Sequence, residues 1–138
     1  MDNIVIKEYT TVIMTEILLL YESVGWRNYT ENPAMLEEAY ENSLKILAAW
    51  ENDKLVGIIR AVGDGSSILY IQDIIVLPDY QKQGIGKRLI IALREIYPDI
   101  YQTVLITLNE PKTVKFYESC GFSLSSEHNC IAFIISSL

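Results

Sequence analysis

Cysteine is scarce in this 138-residue chain: it occurs only as Cys120 and Cys130, with no CxxC pair and no Cys/His spacing. A disulfide framework and a metal site are therefore not expected, and a reducing, cytoplasmic setting is. Long apolar runs are missing too. The stretch from Val12 to Tyr21 is broken by Glu16, and no basic segment precedes it. Neither a secretory signal nor a membrane span, which needs roughly 18 uninterrupted apolar residues, is expected. Basic charge is short: 11 Lys and Arg stand against 18 Asp and Glu, for a net charge of -7. Residues 1–69 carry -6 of this and residues 70–138 carry -1. With no basic stripe in either half, such a chain repels phosphate backbones, and nucleic acid is excluded as a partner. Repeats, low-complexity tracts and Gly/Ser linkers are also absent, so residues 1–138 are expected to form a single domain.

What is present is a hydrophobic pattern whose period changes along the chain. Ile4-Val5-Ile6 predicts a short edge strand. Ile13, Ile17, Leu20 and Val24 fall at helical spacing, and Gly25 stops that helix. Asn32-Pro33 offers a cap and a proline at the first position of a second helix. Leu36, Ala39, Tyr40, Leu44 and Leu47 continue it, with Glu37, Glu38 and Glu41 on the wet face. Residues 47–50 and 55–62 flank the turn Glu51-Asn52-Asp53-Lys54 as a hairpin, and Asp64-Gly65 is a second turn. An apolar strand over residues 68–77 is ended by Pro78. Ile85, Leu89, Ala92, Leu93 and Ile96 then predict a helix over 84–97. A strand over 103–108, a helix over 111–120 ended by Gly121, and a last strand over 131–135 complete the order β-α-α-β-β-β-α-β-α-β. This is an α/β (α+β) chain, a mixed sheet with helices packed on it.

The most informative stretch joins a strand to a helix: Ile74-Ile75-Val76-Leu77-Pro78-Asp79-Tyr80-Gln81-Lys82-Gln83-Gly84-Ile85-Gly86-Lys87-Arg88-Leu89. A two-glycine turn before a helix aims free backbone N–H groups at one place, where the helix dipole adds positive potential. Without Cβ atoms in the way, a bulky phosphate can approach the backbone, and a pyrophosphate is the natural guest. Lys82, Lys87 and Arg88 add charge. The dinucleotide fingerprint fails because Leu89 stands where its third glycine belongs. The P-loop fails because Gln81 replaces its first glycine and Arg88 its Ser/Thr.

The remaining pattern, Gln-x-x-Gly-x-Gly after a V-x-P strand end, resembles the coenzyme A loop of the GNAT superfamily of N-acetyltransferases. Phe116-Tyr117-Glu118-Ser119-Cys120-Gly121-Phe122 resembles that superfamily's F-Y-x-x-x-G-F segment, and follows the loop in the same order. Glu22-Ser23-Val24-Gly25-Trp26, with Tyr29 beyond it, is similar to small bacterial members. The resemblance covers essentially the whole chain. It implies a GNAT-type acyl-CoA N-acyltransferase fold, acetyl-coenzyme A as cosubstrate, and a small-molecule or protein amine as acceptor. In that fold the fourth and fifth strands splay and the pantetheine arm fills the gap. Ile74, Ile75 and Val76 would then offer backbone groups to its amides. Gln81, Lys82, Gln83, Gly84, Ile85, Gly86 and Lys87 would hold the pyrophosphate. Tyr117 would sit near the sulfur as general acid; packing beside Phe116 is the other reading. Where the family often has an Asn that binds the cofactor, seven residues before this Tyr, the chain has Glu110; Asn109, one residue earlier, is the substitute.

A primary amine must lose a proton before it attacks a thioester, which at pH 7 costs about 4–5 kcal/mol. Asp73, an acid inside an apolar run beside Gln72, is the candidate base, and an ion pair or cap at a sheet edge is the equal alternative. His128 lies in a polar turn and is expected to be exposed. Cys120 has no histidine near it in sequence to depress its pKa, so direct attack in a ternary complex is expected over an acyl-cysteine route. A sensor that keeps the fold and binds coenzyme A without turnover stays open beside the enzyme. The acidic cluster Glu31, Glu37, Glu38 and Glu41 leaves room for a cationic acceptor. Exposed strand edges leave room for a homodimer.

Overall fold

A computed structural model describes residues 3–136. They form two compact units, one running up to Ile106 and one starting at Thr107.

The first unit is built on a five-stranded sheet in the order β1-β2-β3-β4-β5. Its strands are β1 (Ile4–Glu8), β2 (Lys45–Glu51), β3 (Lys54–Gly63), β4 (Ile68–Val76) and β5 (Gln102–Leu105). The first four are antiparallel, and β5 joins β4 in parallel. The β2–β3 hairpin turns at Asn52-Asp53, with Glu51 opposite Lys54 and Asn52 left-handed at φ 54°, a conformation Asn tolerates better than most residues.

Alternation along β2 separates the two faces of the sheet. Ile46 and Ala48 point into a core with Ile17, Leu20, Tyr21 and Leu36, from helices α1 (Met14–Ser23) and α3 (Pro33–Glu41). Ala49 points the other way, toward Gly57 and Leu89 of helix α4 (Ile85–Ile96). A single turn of helix, α2 (Arg27–Thr30), links α1 to α3 and buries Tyr29. Helix α1 starts at Met14 and is closed by Gly25 at φ 72°. Pro33 opens α3 as expected, though the Asn32 side chain makes no cap hydrogen bond.

Three expectations need correction. Helix α3 ends at Glu41, not at Leu47, and Leu47 lies within β2. Residues 45–51 gain ladders on both sides, to β1 and to β3, and this outweighs the fortuitous helical spacing of Leu44 and Leu47. Strand β5 stops at Leu105, short of 108. In the second unit, helix α5 (Pro111–Ser119) forms as expected, but the run over 131–135 is not a strand. Ile131, Phe133, Ile134 and Ile135 are all exposed, and an apolar run becomes a strand only where a ladder partner receives it. Among the described residues no helix is long and apolar enough to cross a membrane.

Candidate active site

The end of β4 is organised by a mismatch in length. On one side, β3 pairs with β4 along its whole run, with Gly57 opposite Val76. On the other, β5 pairs only from Ile68 to Ile71. The sheet therefore forks at Ile71, and from Gln72 to Val76 the alternate backbone groups that face the β5 side, those of Ile74 and Val76 among them, have no ladder partner in it. A bulge marks the same place: Arg60 faces Asp73 while Ala61 faces Ile71, so Gln72 is the extra residue.

Beyond Val76 the chain makes one turn over Pro78–Tyr80 and enters α4 through the glycine loop. Gly84 caps the helix at φ 81°, and a Cβ built there would meet nothing within 4 Å. Its value is thus conformational, with open space in front of it. Lys82 is also left-handed, at φ 63°. Gly84 itself, having no side chain, supplies no cap to the first amides of α4. The loop's glutamines fold back on their own segment, Gln81 Nε2 donating to the Val76 carbonyl at 3.0 Å and Gln83 Nε2 to that of Asp79 at 3.3 Å. The Tyr80 hydroxyl donates to Glu51 Oε1 at 2.6 Å, with Lys54 Nζ 5.3 Å from its ring, so the β2–β3 turn braces the loop. Lys82 and Lys87 are exposed, whereas Arg88 reaches back to the Ile4 carbonyl at 3.0 Å. A glycine-opened helix start, after a strand whose β5-facing edge has run out of ladder partners, fits a ligand with a pyrophosphate and an amide-bearing arm, as coenzyme A has.

Below the fork lies a buried polar network. The carboxylate of Asp73 pairs with Arg60, Oδ2 being 2.8 Å from Nη2 and 3.0 Å from Nε. The hydroxyl of Tyr21 donates to Oδ2 at 2.8 Å and that of Tyr29 to Oδ1 at 3.1 Å. Tyr21 and Tyr40 share a further bond of 2.8 Å, Arg60 Nη1 donates to Ser43 Oγ, and Gln72 Nε2 donates to the Tyr29 hydroxyl at 3.2 Å. Arg60 is 4% exposed and Asp73 3%, so the pair is out of water. Burial works against the charge on Arg60, but the Asp73 carboxylate together with Tyr21 and Tyr29 beside it outweighs this, and the guanidinium pKa is raised. Tyr21, Tyr29 and Tyr40 are all pushed above the ordinary phenol value, first by burial and also by the Asp73 charge. Of the two roles weighed for Asp73, its geometry is that of an ion pair, in the middle of the sheet and not at its edge.

In the second unit, Tyr117 lies on α5 with its ring edge-on to Phe116 and Phe122, at 5.0 and 5.9 Å between centroids. Burial raises its pKa, and a hydrogen bond with the Thr107 side chain partly opposes this. Asn109 is exposed in the approach to α5, and Glu110 occupies the N-cap position. His128 is exposed and bonds Ser123 Oγ at 2.6 Å. Among the described residues no disulfide joins Cys120 and Cys130, and no metal-binding cluster occurs.

Tyr21, Tyr29, Tyr40 and Arg60 are not among the site residues expected from the sequence. The phenols sit in apolar helical stripes and look like ordinary core. Arg60 carried a usable signal, since it is a charge inside an apolar strand run, as Asp73 is.

Comparison with known proteins identifies the family and the fold. A family model described as an acetyltransferase (GNAT) domain matches residues 21–134. The chain is 29% identical over 134 residues to an uncharacterized N-acetyltransferase, ycf52-like, from Prochlorococcus marinus, covering 94% of this chain and 73% of that protein. A solved GNAT family acetyltransferase from Streptococcus pneumoniae superposes with a TM-score of 0.88 at 42% identity, over 97% of this chain and 98% of its own. The solved structure of AAC(6')-Iy, in complex with a coenzyme A bisubstrate analog, shares the fold at a TM-score of 0.75 and 18% identity, over 99% of this chain and 100% of its own.

Proposed function

The chain belongs to the GNAT family of acetyl-CoA-dependent N-acetyltransferases, and we propose that it acetylates a cationic primary amine by direct attack while both substrates are bound. The observation that carries this reading is the fork of β4 from β5, followed by the glycine-opened start of α4 at Gly84. Acetyl-coenzyme A, when bound, supplies an acyl group already activated as a thioester. The backbone of Ile74, Ile75 and Val76 is assigned to its amide-bearing arm. The N–H groups from Gln81 to Lys87 are assigned to its pyrophosphate, with Lys82 and Lys87 adding positive potential. Asn109 is assigned a further amide contact.

Tyr117 is the proton donor in this reading. A phenol is protonated at neutral pH, as an acid must be before it acts, and burial raises the Tyr117 pKa further. Asp73 takes part through the phenols bonded to it. Lifting a proton onto its carboxylate would leave the Arg60 charge buried without a counter-charge, so Asp73 holds neighbouring groups in place and does not itself strip the amine. The acceptor's positive charge is inferred from Glu31, Glu37, Glu38 and Glu41, all exposed, in a half of the chain that carries -6. We extend the reading to the cytoplasm, which a chain with two cysteines and no disulfide between them fits, and to a homodimer joined at a sheet edge.

The test is a thiol-release assay with acetyl-coenzyme A over polyamines, aminoglycosides and lysine peptides, run beside calorimetry with coenzyme A. Thiol release with a cationic amine is the expected result. Coenzyme A binding with no release for any amine would make the chain a sensor, and absence of binding would remove the site.

A further inference from the structure

The buried network reaches solvent at two ends, the half-buried Ser43 beside Arg60 and the Tyr29–Gln72 pair beside Asp73, and the second of these lies at the fork. Tyr21 is fully buried within it and Tyr40 is 5% exposed, while Tyr29 keeps 8% of its surface in solvent and bonds the exposed Gln72. A phenol offers one proton and two acceptor lone pairs. The proton of Tyr29 is committed to Asp73 Oδ1, and one lone pair receives the Gln72 amide. One lone pair is left. It belongs to an oxygen polarised by a carboxylate, which strengthens it as an acceptor. The position matters as much as the chemistry. Gln72 is the bulged residue at which β4 parts from β5, so the Tyr29 hydroxyl stands at the closed end of the fork. A ligand whose pyrophosphate lies at Gly84 and whose arm follows Val76, Ile75 and Ile74 ends its reach beside Gln72 and Asp73.

We propose that the Tyr29 hydroxyl is the group that meets the acceptor nitrogen: it accepts a hydrogen bond from the amine N–H and aims the nitrogen lone pair at the thioester carbon, while Asp73 and Gln72 act as positioning residues through it. This rests on the acetyl-transfer reading. The ammonium gives one proton to solvent. The neutral amine's lone pair forms the C–N bond as the C–S bond breaks, and a second amine proton ends on the coenzyme A thiol. Tyr29 gains and loses nothing. Its raised pKa agrees with that, because the hydroxyl stays protonated through the assay range.

The experiment uses the intact protein and two ligands: coenzyme A, and its S-carboxymethyl derivative joined as an amide to propylamine, whose N–H sits where the attacking nitrogen would. By calorimetry, Tyr29→Phe should bind coenzyme A as wild type does and bind the propylamide about 10- to 100-fold more weakly, the range for a lost hydrogen bond to a polarised partner. Gln72→Ala, an exposed change that leaves the core alone, should weaken the propylamide severalfold and coenzyme A not at all, which keeps the test alive if Tyr29→Phe fails to fold. In turnover, Tyr29→Phe should lower kcat without shifting the alkaline limb of the pH profile. Unchanged propylamide affinity in the folded variants would overturn the role of Tyr29 alone. A wild type that binds neither ligand would overturn the acetyl-transfer reading itself.

Discussion

Arg60 and Asp73 face each other across β3 and β4, guanidinium to carboxylate at 2.8 Å, with both side chains almost wholly out of solvent. Such a pair adds little net stability when intact and becomes expensive when halved. Asp73→Ala should therefore cost about 3–5 kcal/mol in urea denaturation, by leaving a buried guanidinium uncompensated. The double change Arg60→Met with Asp73→Leu should recover much of that loss, though not all, because the hydroxyls of Tyr21 and Tyr29 lose their acceptor. A loss below about 1 kcal/mol in the single variant would show that the pair is solvated in solution.

The same cluster sets the alkaline limit of the fold. Phenols of the unfolded chain ionise near pH 10, whereas burial holds Tyr21, Tyr29 and Tyr40 protonated above that, and pushes Tyr9 up to about 12. Above pH 10 the unfolded chain thus binds fewer protons than the folded one, and stability falls as pH rises. Denaturation midpoints should show no tyrosine contribution at pH 8 and a decline from pH 10 to 12. An absorbance titration should show part of the nine tyrosines ionising only as the fold is lost. If all nine titrate together near 10 with the fold intact, the cluster is open to water.

At the cofactor loop, Gly86 lies in the first turn of α4, where a branched side chain would crowd a bound phosphate. Gly86→Val should weaken acetyl-coenzyme A binding tenfold or more, equivalent to about 1.4 kcal/mol. Calorimetry on the folded variant measures it, and unchanged affinity would remove the loop from the site.

Tyr117→Phe separates acid from packing. The ring contacts with Phe116 and Phe122 survive the change and the hydroxyl does not. Turnover should fall by roughly 10²- to 10⁴-fold with little change in cofactor affinity. Wild-type turnover would leave Tyr117 a packing residue.

Charge steering is tested by salt. With a cationic acceptor, kcat/KM should fall as ionic strength rises, because the Debye length shrinks to about 8 Å at physiological salt. Reversing Glu37, Glu38 and Glu41 to Lys should lower it further. A cationic acceptor indifferent to both changes would assign these glutamates to solubility alone.

Much of the fold was legible because punctuation is local. Gly25, Pro33, the Asn52-Asp53 turn, Pro78 and Gly84 each impose a backbone conformation on their own, and each marks a boundary in the structure. What could not be read depends on partners distant in sequence. Leu44 and Leu47 extend a helical stripe on paper, yet residues 45–51 are claimed by strands on both sides. Residues 131–135 have strand composition and no ladder among the described residues. For the site, the glycine loop announced itself, since its chemistry resides in consecutive residues. The polar network draws on five separate elements or their ends, at Tyr21, Tyr29, Tyr40, Arg60 and Asp73, and a phenol in an apolar stripe gives no hint of what its hydroxyl will meet.

Strand β4 outlasts its parallel neighbour from Gln72 to Val76. A guest that completes the sheet there behaves as a surrogate strand, and what it reads is peptide and not side chain. Ile74, Ile75 and Val76 are then free to drift among β-branched neighbours over evolutionary time without loss of recognition, while a single proline among them would remove a donor the guest depends on. A contact made of main chain leaves no signature in residue identity. Its persistence across divergent relatives would be visible as a conserved gap in pairing, and not as a conserved letter.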